Sequence, residues 1–252
     1  MADKKLDNSL KLITGLPIEV HGIEIKPFKI GEIISIGYSD FQSKIQILQL
    51  TLDDIIDGVD DFETQAILKA NKHNYTMFEL AMISEGLKSL ITESLSLFLR
   101  TEELNLIDDI ENGVTIIVDG KYEINKHNFA EIASVIKMQN NPNVSKSENE
   151  DDYNPASEIA KGIAEKLKRG KEIVKKSKAM ESNNDEGVDL QDVISAVTSM
   201  SNSINKININ EYTLYQLYDE FARLVKIDNY RLQIQASMWA SDVEVHHWSE
   251  PL

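Results

Sequence analysis

Pro17-Ile18-Glu19-Val20-His21-Gly22-Ile23-Glu24-Ile25-Lys26-Pro27-Phe28 alternates apolar and polar residues on both sides of His21-Gly22. Alternation puts one set of side chains on one face of an extended chain. Glycine supplies the positive φ that a tight turn needs, so the stretch reads as a β-hairpin. The pattern returns at Val114-Thr115-Ile116-Ile117-Val118-Asp119-Gly120-Lys121-Tyr122-Glu123-Ile124, where Asp119-Gly120 is the stronger turn dipeptide. Both hairpins are short, and each needs helices to cover its apolar face.

Working outward, the periodicity changes from two to near 3.6. Thr76 with Glu79 fits a capping box. Behind it Leu80, Ile83, Leu87, Leu90, Ile91, Leu95 and Phe98 predict one long amphipathic helix. Asn125 is placed to cap a further helix through Phe129, Ile132, Val135, Ile136 and Met138, ending at Asn140-Asn141-Pro142. Residues 141–153 have almost no apolar content and read as a linker. Asn154 and Pro155 then open a helix reaching about Lys178, with a narrow stripe of Ile159, Ile163, Leu167 and Val174. Beyond a second polar stretch, Leu190, Val193, Ile194 and Val197 predict a short helix. Leu214, Leu217, Tyr218, Phe221, Leu224 and Val225 predict a better one, and Leu232 to Ala240 another.

The expected fold is therefore α+β and mainly helical. An N-terminal α+β domain spans residues 1–140 and carries both hairpins. A linker with an exposed basic helix spans 141–188, and a small helical C-terminal domain spans 189–252.

The chain has 252 residues and a formal net charge of −16, with no cysteine. Disulfide scaffolds, thiolate metal sites and cysteine nucleophiles are thereby excluded. Met1-Ala2-Asp3-Lys4-Lys5-Leu6-Asp7 has no apolar core of signal-peptide length behind it, and no apolar run reaches the ~18 residues of a membrane span. A cytoplasmic protein without membrane partners is expected. Residues 1–150 carry 14 basic and 25 acidic groups, 151–182 carry 8 and 6, and 183–252 carry 4 and 11. Nucleic-acid affinity comes from neutralising phosphates, so both ends repel a polyanion. Only Lys166 to Lys178 offers a basic footprint. It lacks interleaved aromatics for base stacking and reads first as the solvated face of a helix. Docking onto the protein's own acidic surface is a further option.

No catalytic, cofactor or metal site is expected. Placing Gly58 sixth in a calcium loop puts Ile55 third and Thr64 twelfth, where oxygen ligands and a bidentate glutamate are required. With Gly113 sixth, Ile110 falls third, and that loop fails too. The plain reading of Asp53 to Gly58 is an amphipathic helix followed by an acidic turn. Glycine-rich phosphate loops and a Gly-x-Ser-x-Gly elbow are absent from the sequence. His21, His73 and His127 are scattered near turns or helix starts. His246 and His247 are neighbours whose rings should point apart.

Aromatic residues concentrate late, and Tyr212, Tyr215, Tyr218, Trp239 and Trp248 are the candidate partner-binding residues. Tyrosine and tryptophan bury large area while keeping a polar handle. The same residues could instead form the core of a small helical domain.

The stretch Tyr212-Thr213-Leu214-Tyr215-Gln216-Leu217-Tyr218-Asp219-Glu220-Phe221-Ala222-Arg223-Leu224, with Asp228-Asn229-Tyr230 and Val245-His246-His247-Trp248, resembles the C-terminal part of tail-region proteins from phages and prophages of low-GC Gram-positive hosts. Ile136-Lys137-Met138-Gln139-Asn140 and Tyr153-Asn154-Pro155-Ala156-Ser157-Glu158 resemble the middle of the same group. The resemblance implies a non-enzymatic morphogenesis protein in the infected or lysogenic cell. Such a tail assembly chaperone would bind the tape-measure protein or tube subunits, and a homo-oligomer is compatible with the same role. A tail or baseplate subunit kept in the virion is the second expectation. A nucleic-acid-binding regulator is a third.

Overall fold

The computed structural model describes residues 2–109, 113–140, 190–237 and 245–250. The chain is mainly helical with two small antiparallel sheets, the α+β class read from the sequence. The expected linker and basic helix of 141–188 lie outside the described residues.

The first hairpin pairs β1 (Ile18–Val20) with β2 (Ile23–Ile25) in the register Ile18↔Ile25 and Val20↔Ile23. These four side chains all face inward, while Glu19 and Glu24 face out. His21 (φ 51°) and Gly22 (φ 81°) both lie in the left-handed region, the backbone a two-residue hairpin turn of matching twist requires. The second hairpin, β4 (Gly113–Val118) and β5 (Tyr122–Ile124), turns at Asp119 (φ 51°) and Gly120 (φ 63°). Its outer neighbour β3 (Leu104–Asp109), not picked out in the sequence, makes a three-stranded sheet in the order β3-β4-β5. Tyr122 lies against the first turn, close enough that a Cβ on Gly22 would sit 3.1 Å from its ring.

Helices α1 (Ala2–Thr14), α2 (Ile30–Ile36), α3 (Tyr38–Leu48), α4 (Leu52–Asp57) and α5 (Phe62–Ala70) are the remaining N-terminal helices, with α6 (Met77–Ile83), α7 (Glu85–Leu99) and α8 (Phe129–Asn140) behind them. Two more follow in the C-terminal region, α9 (Leu190–Met200) and α10 (Leu214–Ser237). The Thr76–Glu79 capping box is present: Thr76 N–H donates to Glu79 Oε2 (2.8 Å) and Glu79 N–H to Thr76 Oγ1 (3.2 Å). The single long helix predicted behind it is instead two, broken at Ser84 (φ −86°, ψ 114°). The break redirects α6, so that Phe78 packs on Phe129 (ring centroids 4.9 Å apart) and Ile83 is left 75% exposed. A straight helix would keep Ile83 in line with Leu87 and carry Phe78 away. Further along, the two helices predicted over 214–225 and 232–240 are one through Ser237, because Lys226 to Arg231 holds no glycine or proline to stop it.

At the centre, Phe28, Phe41 and Phe98 form a closed triad of edge-to-face rings, with centroids 5.4, 5.8 and 5.4 Å apart. Each such pair adds about 0.5–1.5 kcal/mol beyond area burial. Arg100 caps the triad, its guanidinium 4.3 Å from the Phe28 ring. The same guanidinium donates to both oxygens of Glu32 (2.7 and 2.9 Å), and Glu32 Oε2 also accepts Lys29 N–H (2.8 Å). The hydrogen bonds from Arg100 are the main reason the Glu32 carboxyl is held below the usual carboxylate range. Burial opposes them, and Lys29 adds to them.

Two amides at the end of α8 tie the first hairpin to the body. Asn140 Oδ1 accepts Phe28 N–H (3.0 Å) while its Nδ2 donates to Ile136 carbonyl (3.0 Å). Gln139 Nε2 donates to Ile25 carbonyl (3.0 Å), and both side chains are fully buried. Their presence in the stretch carrying the resemblance has a structural cause: a buried backbone N–H or C=O without a partner is costly.

Residues from Leu12 through Leu217 share one buried apolar cluster, with Val193, Val197, Ile204, Ile209, Leu214 and Leu217 contributed by the C-terminal helices and the segment between them. Ile30 N–H donates to Tyr212 carbonyl (2.8 Å), and Lys29 pairs with Thr213 in an isolated β-bridge.

Candidate functional site

The candidate aromatics sit around the start of α10. Thr213 and Gln216 cap that helix reciprocally: Thr213 N–H donates to Gln216 Oε1 (3.0 Å) and Gln216 N–H to Thr213 Oγ1 (3.2 Å). Gln216 Nε2 also donates to Ile13 carbonyl (3.0 Å), so one side chain fixes the end of α1 against α10. Leu214 and Leu217 are buried, while Tyr212, Tyr215 and Tyr218 are half-buried and pack against the core. Burial pushes the Tyr215 phenol upward, and Asp219 adds to this.

From Val225 onward α10 adds no residue to the apolar cluster, and Val225 and Leu232 are exposed. Residues 245–250 fold back onto α10. Arg223 Nη1 donates to the carbonyls of Trp248 and Glu250 (3.0 Å each), and Lys226 Nζ to that of Glu250 (3.2 Å). Gln233 Oε1 accepts His246 N–H (2.8 Å), and the His247 ring meets Tyr230 edge-on at 5.2 Å. Trp248, for which core and partner contact were the alternatives, is 41% exposed; Trp239 lies outside the described residues. The two histidines take different partners, His246 facing Glu250 (3.9 Å) and His247 the Ser249 hydroxyl (2.7 Å). Between them and α10 lies an open cleft of about 130 Å³, bounded by Lys226, Tyr230, Gln233 and Trp248. That volume is small beside the few hundred Å³ of a ligand pocket.

Among the described residues no three histidines or carboxylates converge as metal ligands, and no helix is long and apolar enough to cross a membrane. The aspartates of the rejected calcium loop are engaged otherwise, Asp53 and Asp57 with Lys72 and Lys69, Asp54 and Asp61 at helix starts. Asp54 closes a capping box with Thr51, and Asp61 accepts Thr64 N–H (2.9 Å) at the start of α5. Thr64 holds the Asp61 carboxyl below its ordinary value.

Two surfaces went unread in the sequence. In α1, Leu12 faces the core, but Leu6, Leu10 and Ile13 are 61, 53 and 48% exposed, and Leu16 beyond the helix is exposed too. Their four-then-three spacing puts them on one stripe, the seam geometry that receives another helix. The spacing of Leu6, Leu10 and Ile13 in the sequence is the signal that marks this stripe. Helix α5 goes further and buries no residue at all. Gln65 and Leu68 turn toward the body, while Phe62, Ala66 and Ala70, one helical turn apart, point outward with Ile67 beside them. Surface helices of isolated globular proteins do the reverse.

No curated protein and no solved structure matches the chain. Residues 176–252, which take in α9, α10 and the folded-back segment, match the family model of the YomV second domain, a likeness that covers less than half of the chain.

Proposed function

We propose that this is a non-enzymatic phage morphogenesis protein, a tail assembly chaperone that holds the tape-measure protein or tube subunits until assembly in the host cytoplasm. The observation that carries the reading is the outward stripe of Leu6, Leu10 and Ile13 on a helix fixed to the body by Gln216. A stripe at this spacing is complementary to an amphipathic helix of a partner, the form in which a long helical client presents itself. The YomV second-domain likeness supports the phage setting. The acidic surface, with a net charge of −16, supports a role in keeping an apolar client soluble. Tyr215, Tyr218 and Trp248 are further contact candidates on α10 and its folded-back segment.

The test is co-expression with tape-measure and tube proteins, followed by affinity capture. A tail protein should come down with the wild-type chain and be lost with Leu10→Asp. Capture of no tail protein rejects the reading. Mass spectrometry of purified particles then separates two roles, because a chaperone is left behind and a tail or baseplate subunit is retained.

A further inference from the structure

We infer that the outward face of α4 and α5 is a docking surface for the chain's own basic stretch, residues 166–178. The surface combines two properties rarely left open together. Helix α5 has no buried residue, and Phe62 and Ile67 are 80 and 62% exposed. An apolar arc of this kind costs free energy while it faces water and is expected to be covered. Around it, residues 51–75 carry six carboxylates (Asp53, Asp54, Asp57, Asp60, Asp61 and Glu63) against two lysines. Those lysines are already engaged, Lys69 with Asp57 (2.7 Å) and Lys72 with Asp53 (2.6 Å). Glu63 stands exposed within the apolar arc, between Ala70 and Ile67 on the helical wheel. An occupant must therefore bring apolar side chains with cations interleaved among them.

Residues 166–178 have that composition. Lys166, Lys168, Arg169, Lys171, Lys175, Lys176 and Lys178 face a single acid, Glu172, and Leu167, Ile173 and Val174 lie between them. Helix α8 ends at Asn140, so 25 residues separate it from Lys166. At ~3.3 Å per residue they span up to roughly 80 Å, beyond the width of a domain this size, so reach is no obstacle. Tethering gives the stretch an effective concentration near the millimolar range, and a weak, salt-sensitive contact is enough to keep the face covered. The same contact explains how a basic stretch can coexist with an acidic chain without a nucleic acid to bind. This inference is independent of the α1 stripe, and its failure leaves the chaperone reading where it stands.

The experiment uses the full chain. Zero-length carbodiimide cross-linking of mixed ¹⁴N and ¹⁵N protein is read by mass spectrometry, with hydrogen exchange of residues 62–70 measured alongside. Cross-links should join lysines of 166–178 to carboxylates of 53–63 within one isotopic copy. Exchange of α5 should quicken about tenfold when Lys168→Glu, Arg169→Glu, Lys175→Glu and Lys176→Glu are combined, and also in 0.5 M salt. Phe62→Ser, an exposed position whose change leaves the fold intact, should weaken the cross-links several-fold. Unchanged α5 exchange in the charge-reversed chain overturns the inference. So do cross-links that run only between isotopic copies, which assign the face to a second molecule.

Discussion

Helix α7 and helix α1 carry the same signal, leucines and isoleucines at helical spacing, and put it to opposite use. In α7, Leu87, Ile91, Leu95 and Phe98 go inward and anchor the phenylalanine triad. In α1, Leu12 alone goes inward, while Leu6, Leu10 and Ile13 are left to solvent. Periodicity thus says that a face is apolar but not what covers it. The contrast sets stability, held in the triad and the buried amides, apart from the proposed recognition on helices that stability can spare.

The largest effect belongs to the triad. Phe98→Ala should cost about 3–5 kcal/mol in urea unfolding, since it removes a fully buried ring that touches two others. A loss under about 1 kcal/mol would erase the proposed division between the two helices. Next comes Asn140→Ala, which leaves Phe28 N–H buried without an acceptor and should cost about 1–3 kcal/mol. Hydrogen exchange at Phe28 is the sharper readout, and unaltered protection there would mean that another group takes over.

A smaller, pH-dependent effect belongs to Glu32. Its carboxyl is depressed by Arg100, so the stability it contributes is present above the ordinary carboxylate range and lost as pH falls through its lower folded value. Wild type should therefore lose more stability than Glu32→Gln between pH 5 and the acid limit of folding. Parallel acid curves for the two proteins would place the ion pair outside the fold's energetics. The smallest stability effect should come from Leu10→Ser on the open stripe, within about 0.5 kcal/mol. Capture of a tail partner should nevertheless fall sharply, and a large drop in stability instead would show that the stripe serves the fold.

Much of the architecture was legible where local chemistry is decisive. His21-Gly22 and Asp119-Gly120 announce their turns because few other residues accept positive φ twice in succession. Thr76 and Glu79 announce a helix start because each satisfies the other's orphan N–H. The break at Ser84 was hidden, since nothing in Leu80 to Leu87 forbids a helix and only the pull of Phe78 toward Phe129 decides it. The sequence picked out Tyr215 and Tyr218 of α10 as partner-binding candidates, but neither the stripe on α1 nor the bare face of α5.

By itself, then, the sequence determined the α+β class, both turns, the Thr76–Glu79 capping box and the acidic balance, all of which depend on residues close along the chain. Only the tertiary structure decided which apolar faces are covered. It also decided that Gln139 and Asn140 serve a hairpin more than a hundred residues away, and that Gln216 locks α1 in place. The reason is physical: burial is settled by competition among all faces for a limited interior, and no single segment carries the outcome.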